Sequence, residues 1–180
     1  MRFMRCMTSN VSVFSSVFMI PLMIFLKQLF YKHNTVWRHF MTFTYKIPCF
    51  DLEQTAGSGQ VFRMIPAPGR TNTWQVISQG HVCFIRQEND IFFLECGPDL
   101  ENFWKNYFDL NTDYEKMIAS ITPDDHYLKA ASKAGQGIRI LRQDTWEMII
   151  TFVISQQKTI PAIRALVEAL CSRYGTKIDQ

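Results

Sequence analysis

Hydrophobic and polar positions change period twice along this chain. Val11 to Leu26 is an uncharged, mostly apolar run (VSVFSSVFMIPLMIFL) with no amphipathic pattern. From Phe43 to about Glu95 the chain reads as β-structure. Phe43, Tyr45 and Ile47 alternate, FDLE leads into a turn at Ala56-Gly57-Ser58-Gly59, and QVFRMI resumes. PAPGRTN then breaks the pattern, WQVIS follows, and HVCFIRQ and IFFLEC form a hairpin about Glu88-Asn89-Asp90. Short antiparallel strands of this kind predict a twisted sheet with one covered face.

After Gly97-Pro98 the period becomes 3.6, with Leu100, Phe103, Trp104 and Tyr107 on one stripe. Thr122-Pro123-Asp124-Asp125 reads as an N-cap, a proline and two first-turn acids, opening a helix that Gly135 closes. Asp144 and Glu147 have capping-box spacing and start an apolar helix through Ile154. A last helix runs from about Ile160 to Tyr174, turning Ile160, Ile163, Leu166, Val167 and Leu170 inward, and Gly175 ends it. A sheet followed by a small set of helices is an α+β arrangement.

Charge is distributed unevenly. Residues 1–41 hold Arg2, Arg5, Lys27, Lys32 and Arg38 and no acid, while the other 14 basic residues face all 16 acids. The net charge of +3 therefore comes from the leader and does not by itself indicate nucleic acid. Val11 to Leu26 is short for a bilayer span and contains Pro21. A signal peptide fits the basic start, but KQLFYKH supplies no small-residue cleavage site. The leader thus reads as a spurious or disordered extension from a start codon placed too far upstream, a membrane segment at residues 11–26, or a signal. Five scattered cysteines without a CxxC pair read as free thiols in a reducing compartment, and no metal or cofactor is expected.

Three stretches together resemble the 8-oxoguanine DNA glycosylase family. Ser58-Gly59-Gln60-Val61-Phe62-Arg63 is similar to its SGQ-x-FR segment. Asn106 to Leu110 is similar to its YF-x-L, and Ile140 to Glu147, continuing to Ser155-Gln156-Gln157, is similar to its LRQDPWE helix and following loop. The resemblance covers roughly residues 43–175. It implies an antiparallel TATA-binding-protein-like sheet domain followed by the first helices of an incomplete all-α helix-hairpin-helix domain. The expected organisation is a leader at 1–41, an N-terminal domain at 42–135, and the start of the helical domain at 136–180. In that family an oxidised guanine is flipped from the duplex, and a lysine amine attacks the sugar C1′ with an aspartate nearby. No lysine here stands in that motif, so the expectation is a fragment without catalytic residues of its own.

The resemblance also assigns roles to individual positions. Gly59 is placed to aim a backbone carbonyl at the N7 edge, which is an acceptor in guanine and a donor in 8-oxoguanine. Lacking Cβ, it lets the backbone approach closely, although a turn glycine would satisfy the same pattern. Gln157 stands where the family often has an asparagine facing the orphaned cytosine. The Gln156-Gln157 pair also resembles the related 3-methyladenine glycosylases. Five residues on from Gln157 is Ala162 rather than the family's frequent arginine, and Arg164 is out of register. By their own chemistry Lys158 and Thr159 suit phosphate, as a charge and a helix-cap hydroxyl, although a solvated loop lysine fits position 158 equally. Asp124-Asp125-His126 fits a helix start better than a metal site, and Arg142 reads as structural.

The expected partner is double-stranded DNA with 8-oxoguanine opposite cytosine, bound by a monomer in a bacterial-type cytoplasm at the nucleoid. Two other readings fit the residues: a non-catalytic damaged-DNA-binding module and a membrane-anchored interaction protein.

Overall fold

The computed structural model describes residues 40–176 and 178. Five strands form one antiparallel sheet: β1 (Met41–Lys46), β2 (Met64–Pro66), β3 (Trp74–Ser78), β4 (His81–Glu88) and β5 (Ile91–Cys96), in the order β1-β5-β4-β3-β2. Two tight turns set its register. Ser78 pairs with His81 across Gln79-Gly80, both at positive φ (49° and 78°). Glu88 pairs with Ile91 across Asn89-Asp90, with Asn89 at φ 52°. Left-handed residues in two-residue loops match the right-handed twist of the flanking strands.

The helices are α1 (Leu52–Gly57), α2 (Glu101–Tyr107, after a 3-10 turn at Pro98–Leu100), α3 (Tyr114–Ala119), α4 (His126–Ala134), α5 (Thr145–Ser155) and α6 (Ile160–Tyr174). Helix α1 departs from the β reading of FDLE. Asp51 caps it, accepting from Gln54 N at 2.8 Å, and the same carboxylate holds the Gln54 amide. A cap of this kind is worth about 1 kcal/mol, enough to turn a six-residue stretch whose Leu52, Thr55 and Ala56 are buried. The start of α4 also differs: Asp125, not Thr122, is the cap, accepting from Leu128 N at 2.7 Å. That use accounts for Asp125, while Asp124 lies ahead of the helix rather than in its first turn.

The core lies between the sheet and α2. Val76, Cys83, Ile85, Phe92, Leu94 and Cys96 project from alternate sheet positions onto Trp104, Tyr107 and Phe108. Trp104 and Phe108 are completely buried, as the helical spacing from Leu100 to Tyr107 predicts. The opposite face is covered in part as well, which the expectation of one covered face missed. Ile77, Val82 and Phe84 are buried there with Ala67 and Ile178, and Phe40 stands edge-on to Phe84 at 5.8 Å. Burial on both sides is why Val82 to Ile85 are all inside and the alternation is lost.

Helices α5 and α6 pack on each other and reach the sheet unit through Phe62, which sits among Ile163, Val167 and Cys171. The buried stripe of α6 is therefore narrower than its apolar residues suggest, since Ile160 and Leu166 are exposed. Among the described residues no helix is long and apolar enough to cross a membrane. Residues 11–26, one reading of which was a span, lie outside the described part.

Candidate nucleic-acid interface

The three motif stretches meet at one segment without regular secondary structure, 138–143. Gln60 carries the first link. Its Nε2 donates to Arg139 O at 2.9 Å and Ser58 Oγ at 3.0 Å, and its Oε1 accepts from Leu141 N at 3.0 Å. Its backbone carbonyl accepts from Gln143 Nε2 at 2.7 Å. Asp109 carries the second. Its carboxylate accepts from Arg142 Nε at 2.8 Å, Thr112 Oγ1 at 2.8 Å and Tyr114 Oη at 3.0 Å. Arg142 is thus structural, as expected, through an ion pair that its position before a helix did not reveal. Arg139 is buried between them, donating to the carbonyls of Asp109, Thr112 and Pro48 with its guanidinium 4.5 Å from the Tyr114 ring.

Gly59 sits at the rim of this junction, just past the Ser58 cap of α1, with φ +80°. That angle requires glycine or strain. Its carbonyl accepts no hydrogen bond among the described residues, although both flanking residues are tied down. A Cβ built on Gly59 would lie 3.9 Å from Ile160 Cδ1, an ordinary contact. The fold thus places Gly59 against the first turn of α6, beside the loop that holds the other expected DNA contacts.

Within that loop the two glutamines are used differently. Gln156 folds back, its amide donating to Phe152 O at 3.2 Å at the end of α5. Gln157 is exposed at φ +56°, and its side chain has no partner among the described residues. Lys158 is exposed, and its N–H closes the turn onto Ser155 O at 3.2 Å. Thr159 occupies the N-cap of α6, yet its hydroxyl makes no bond to the helix backbone. An exposed amide, an ammonium group and an uncommitted hydroxyl thus stand at the positive end of a 15-residue helix.

Sequence reasoning missed a buried polar group at the other end of α5. Glu147 does not reach back to complete a capping box. It turns inward and accepts from Ser78 Oγ of β3 at 2.8 Å, while Asp144 alone caps α5, accepting from the N–H groups of Trp146 and Glu147. Burial pushes the Glu147 carboxyl up to about 7, against the opposing pull of the Ser78 bond and Arg63. Arg63 is buried too and reaches Glu168 on α6 at 3.4 Å. Their only trace in the sequence is a charge within each apolar pattern. His81 stacks edge-on with Phe103 at 5.0 Å. Among the described residues no group of three His, Cys, Asp or Glu is placed to hold a metal.

The family whose profile matches is the 8-oxoguanine DNA glycosylase N-terminal domain, over residues 42–149. The chain is 33% identical over 107 residues to an N-glycosylase/DNA lyase of Saccharomyces cerevisiae, taking in 54% of this chain and 28% of that protein. Among solved structures, that of MBOgg1 in complex with a low-affinity DNA ligand is 34% identical, with a TM-score of 0.70 over 83% of this chain and 51% of its own. The 8-oxoguanine glycosylase/lyase of Clostridium acetobutylicum in its apo form is 25% identical, with a TM-score of 0.60 over 76% and 47%. Its complex with double-stranded DNA containing cytosine opposite 8-oxoguanine is 28% identical, with a TM-score of 0.58 over 69% and 45%. The chain therefore spans about half the length of the solved relatives and little more than a quarter of the curated one.

Proposed function

The chain belongs to the 8-oxoguanine DNA glycosylase N-terminal domain family, and on that premise we propose that it carries the lesion-reading part of a base-excision repair glycosylase. The observation that carries this reading is the adjacency of Gly59 to the Gln157–Thr159 loop, with a carbonyl that has no partner among the described residues. An acceptor held there rewards the N7 hydrogen of 8-oxoguanine and repels the N7 lone pair of guanine. A bond of that kind is worth about 1–3 kcal/mol when its absence leaves a buried group unpaired. Gln157 faces the orphaned cytosine, and Lys158 and Thr159 hold a phosphate at the start of α6. The substrate is duplex DNA with 8-oxoguanine opposite cytosine.

This polypeptide supplies recognition rather than chemistry, because none of its lysines stands in the family's nucleophile motif. Two measurements test the reading. Fluorescence anisotropy should show tighter binding to an 8-oxoguanine:cytosine duplex than to the same duplex with guanine. Borohydride, which traps a Schiff base covalently, should yield no cross-link with the lesion duplex. Equal affinity for the two duplexes would refute lesion reading, and a clear cross-link would identify one of these lysines as a nucleophile.

A further inference from the structure

Gln60 is the most heavily bonded residue beside Gly59, and its geometry is specific. The side-chain amide lies against the backbone of the 138–143 segment as a peptide does against a neighbouring strand. Its Nε2 gives to Arg139 O at 2.9 Å and its Oε1 takes from Leu141 N at 3.0 Å. The backbone of the same residue is held by Gln143, and the preceding turn by Ser58, whose Oγ donates to Thr55 O at 2.7 Å. Fixing both neighbours fixes the peptide planes on either side of Gly59. With φ at +80° and no side chain to brace it, Gly59 makes no hydrogen bond of its own among the described residues.

We infer that Gln60 is the positioning residue of the lesion-reading carbonyl: its amide clamp on Arg139 and Leu141, seconded by Gln143, sets where the Gly59 carbonyl points and hence the discrimination of 8-oxoguanine from guanine. This rests on the reading of Gly59 given above and adds the residue that makes it selective. A carbonyl free to swing would accept the N7 hydrogen of the lesion less well and would turn away from the lone pair of guanine. Preorganisation of the acceptor, beyond its presence, generates the difference. The clamp also ties the carbonyl to the segment that runs into the Asp144 cap of α5, so the reader and the helix pair carrying Gln157 share one frame.

The experiment compares the whole chain with Gln60→Met, which keeps length and loses every amide bond. It also includes Gln143→Ala, which removes only the support on the Gln60 carbonyl at a half-exposed position. Each protein is titrated with the 8-oxoguanine:cytosine and guanine:cytosine duplexes at two salt concentrations, and its thermal melt is recorded. The expected result is a loss of lesion preference of about tenfold in Gln60→Met and a smaller loss in Gln143→Ala. Affinity for the plain duplex and its salt slope should stay within about twofold, because those report phosphate contacts. Retained preference in both folded variants overturns the clamp while leaving the reading of Gly59 intact. Parallel loss of both affinities with an early melt in both variants makes Gln60 scaffold only and likewise overturns it. Absence of any preference in the unaltered chain removes the reading and the clamp together, and is seen before either variant is made.

Discussion

Ser78 Oγ donates to the Glu147 carboxylate across 2.8 Å, joining strand β3 to the first turn of α5 in a site closed to solvent. Burial pushes the carboxyl up from the ordinary 4.5 of a glutamate to about 7. A folded value above the unfolded one means that the native state binds the proton more tightly between those limits. Glu147 therefore lowers stability progressively as pH rises from about 4.5 to 7, and its cost is constant above that. The difference in unfolding free energy between the wild type and Glu147→Gln isolates this group from the other titrations. That difference should fall with pH through this window, by on the order of 2–3 kcal/mol in total. Urea titrations at pH 5 and pH 8 provide the check, and a pH-independent difference would show that the carboxyl is not perturbed.

Gly59→Ala separates backbone strain from lesion reading. The added methyl would meet Ile160 at an ordinary 3.9 Å, so its stability cost is the left-handed φ alone, about 1–2 kcal/mol. Preference for the 8-oxoguanine duplex should disappear while plain-duplex affinity and its salt slope persist. If both affinities fall together, Gly59 is a turn glycine and the reader lies elsewhere.

Gly137 tolerates no side chain. A Cβ there would lie 2.6 Å from Asp51 Cβ and 2.8 Å from Asp51 N, at φ +91°, where the Gly137 carbonyl accepts from that same N–H at 2.8 Å. Neither backbone can yield without uncapping α1. Gly137→Ala should cost more than about 3 kcal/mol, more than any other single substitution named here. A melt within a few degrees of wild type would be incompatible with this packing.

The Asp109–Arg142 pair should be lopsided. Arg142 is more than half exposed at its side chain, so its removal costs at most about 1 kcal/mol. Asp109 is nearly buried and also accepts from Thr112 and Tyr114, so Asp109→Ala should cost about 2–3 kcal/mol. A double-mutant cycle measures the coupling, and equal single costs would contradict the geometry.

Helix α5 presents Met148, Phe152 and Val153 to solvent, at 50%, 65% and 63% exposure. A patch of that kind favours self-association. The chain should show concentration-dependent sedimentation that Phe152→Ser with Val153→Ser reduces. A monodisperse monomer at high concentration would argue against it.

Period and punctuation alone determined much of this protein. Alternation at Phe43 to Ile47 and β-rich runs further on identified the strands, the polar break at Glu88-Asn89-Asp90 placed the β4–β5 turn, and the 3.6 spacing through Leu100 and Tyr107 placed the aromatic core of α2. These signals are local, because each element carries its own period and ends at its own Gly, Pro or capping residue. The order of the three motif stretches was equally legible, and with it the family.

Tertiary structure decided the rest, for reasons that act between distant residues. Alternation says which face of a strand is apolar but not what covers the other, so the burial of Phe84 under Phe40 and Ile178 was invisible. Asp125 rather than Thr122 caps α4 because the backbone turns once before the helix begins. Capping-box spacing let Glu147 bond backward, yet the buried hydroxyl of Ser78 drew it inward. Motif position could not distinguish Gln156 from Gln157. One amide bonds the end of α5 and the other projects outward, because the left-handed turn falls between the two helices at Gln157. Gln60 shows the same division most plainly: its identity was readable as part of a motif, but its hold on Arg139 and Leu141 exists only once the chain has folded back on itself.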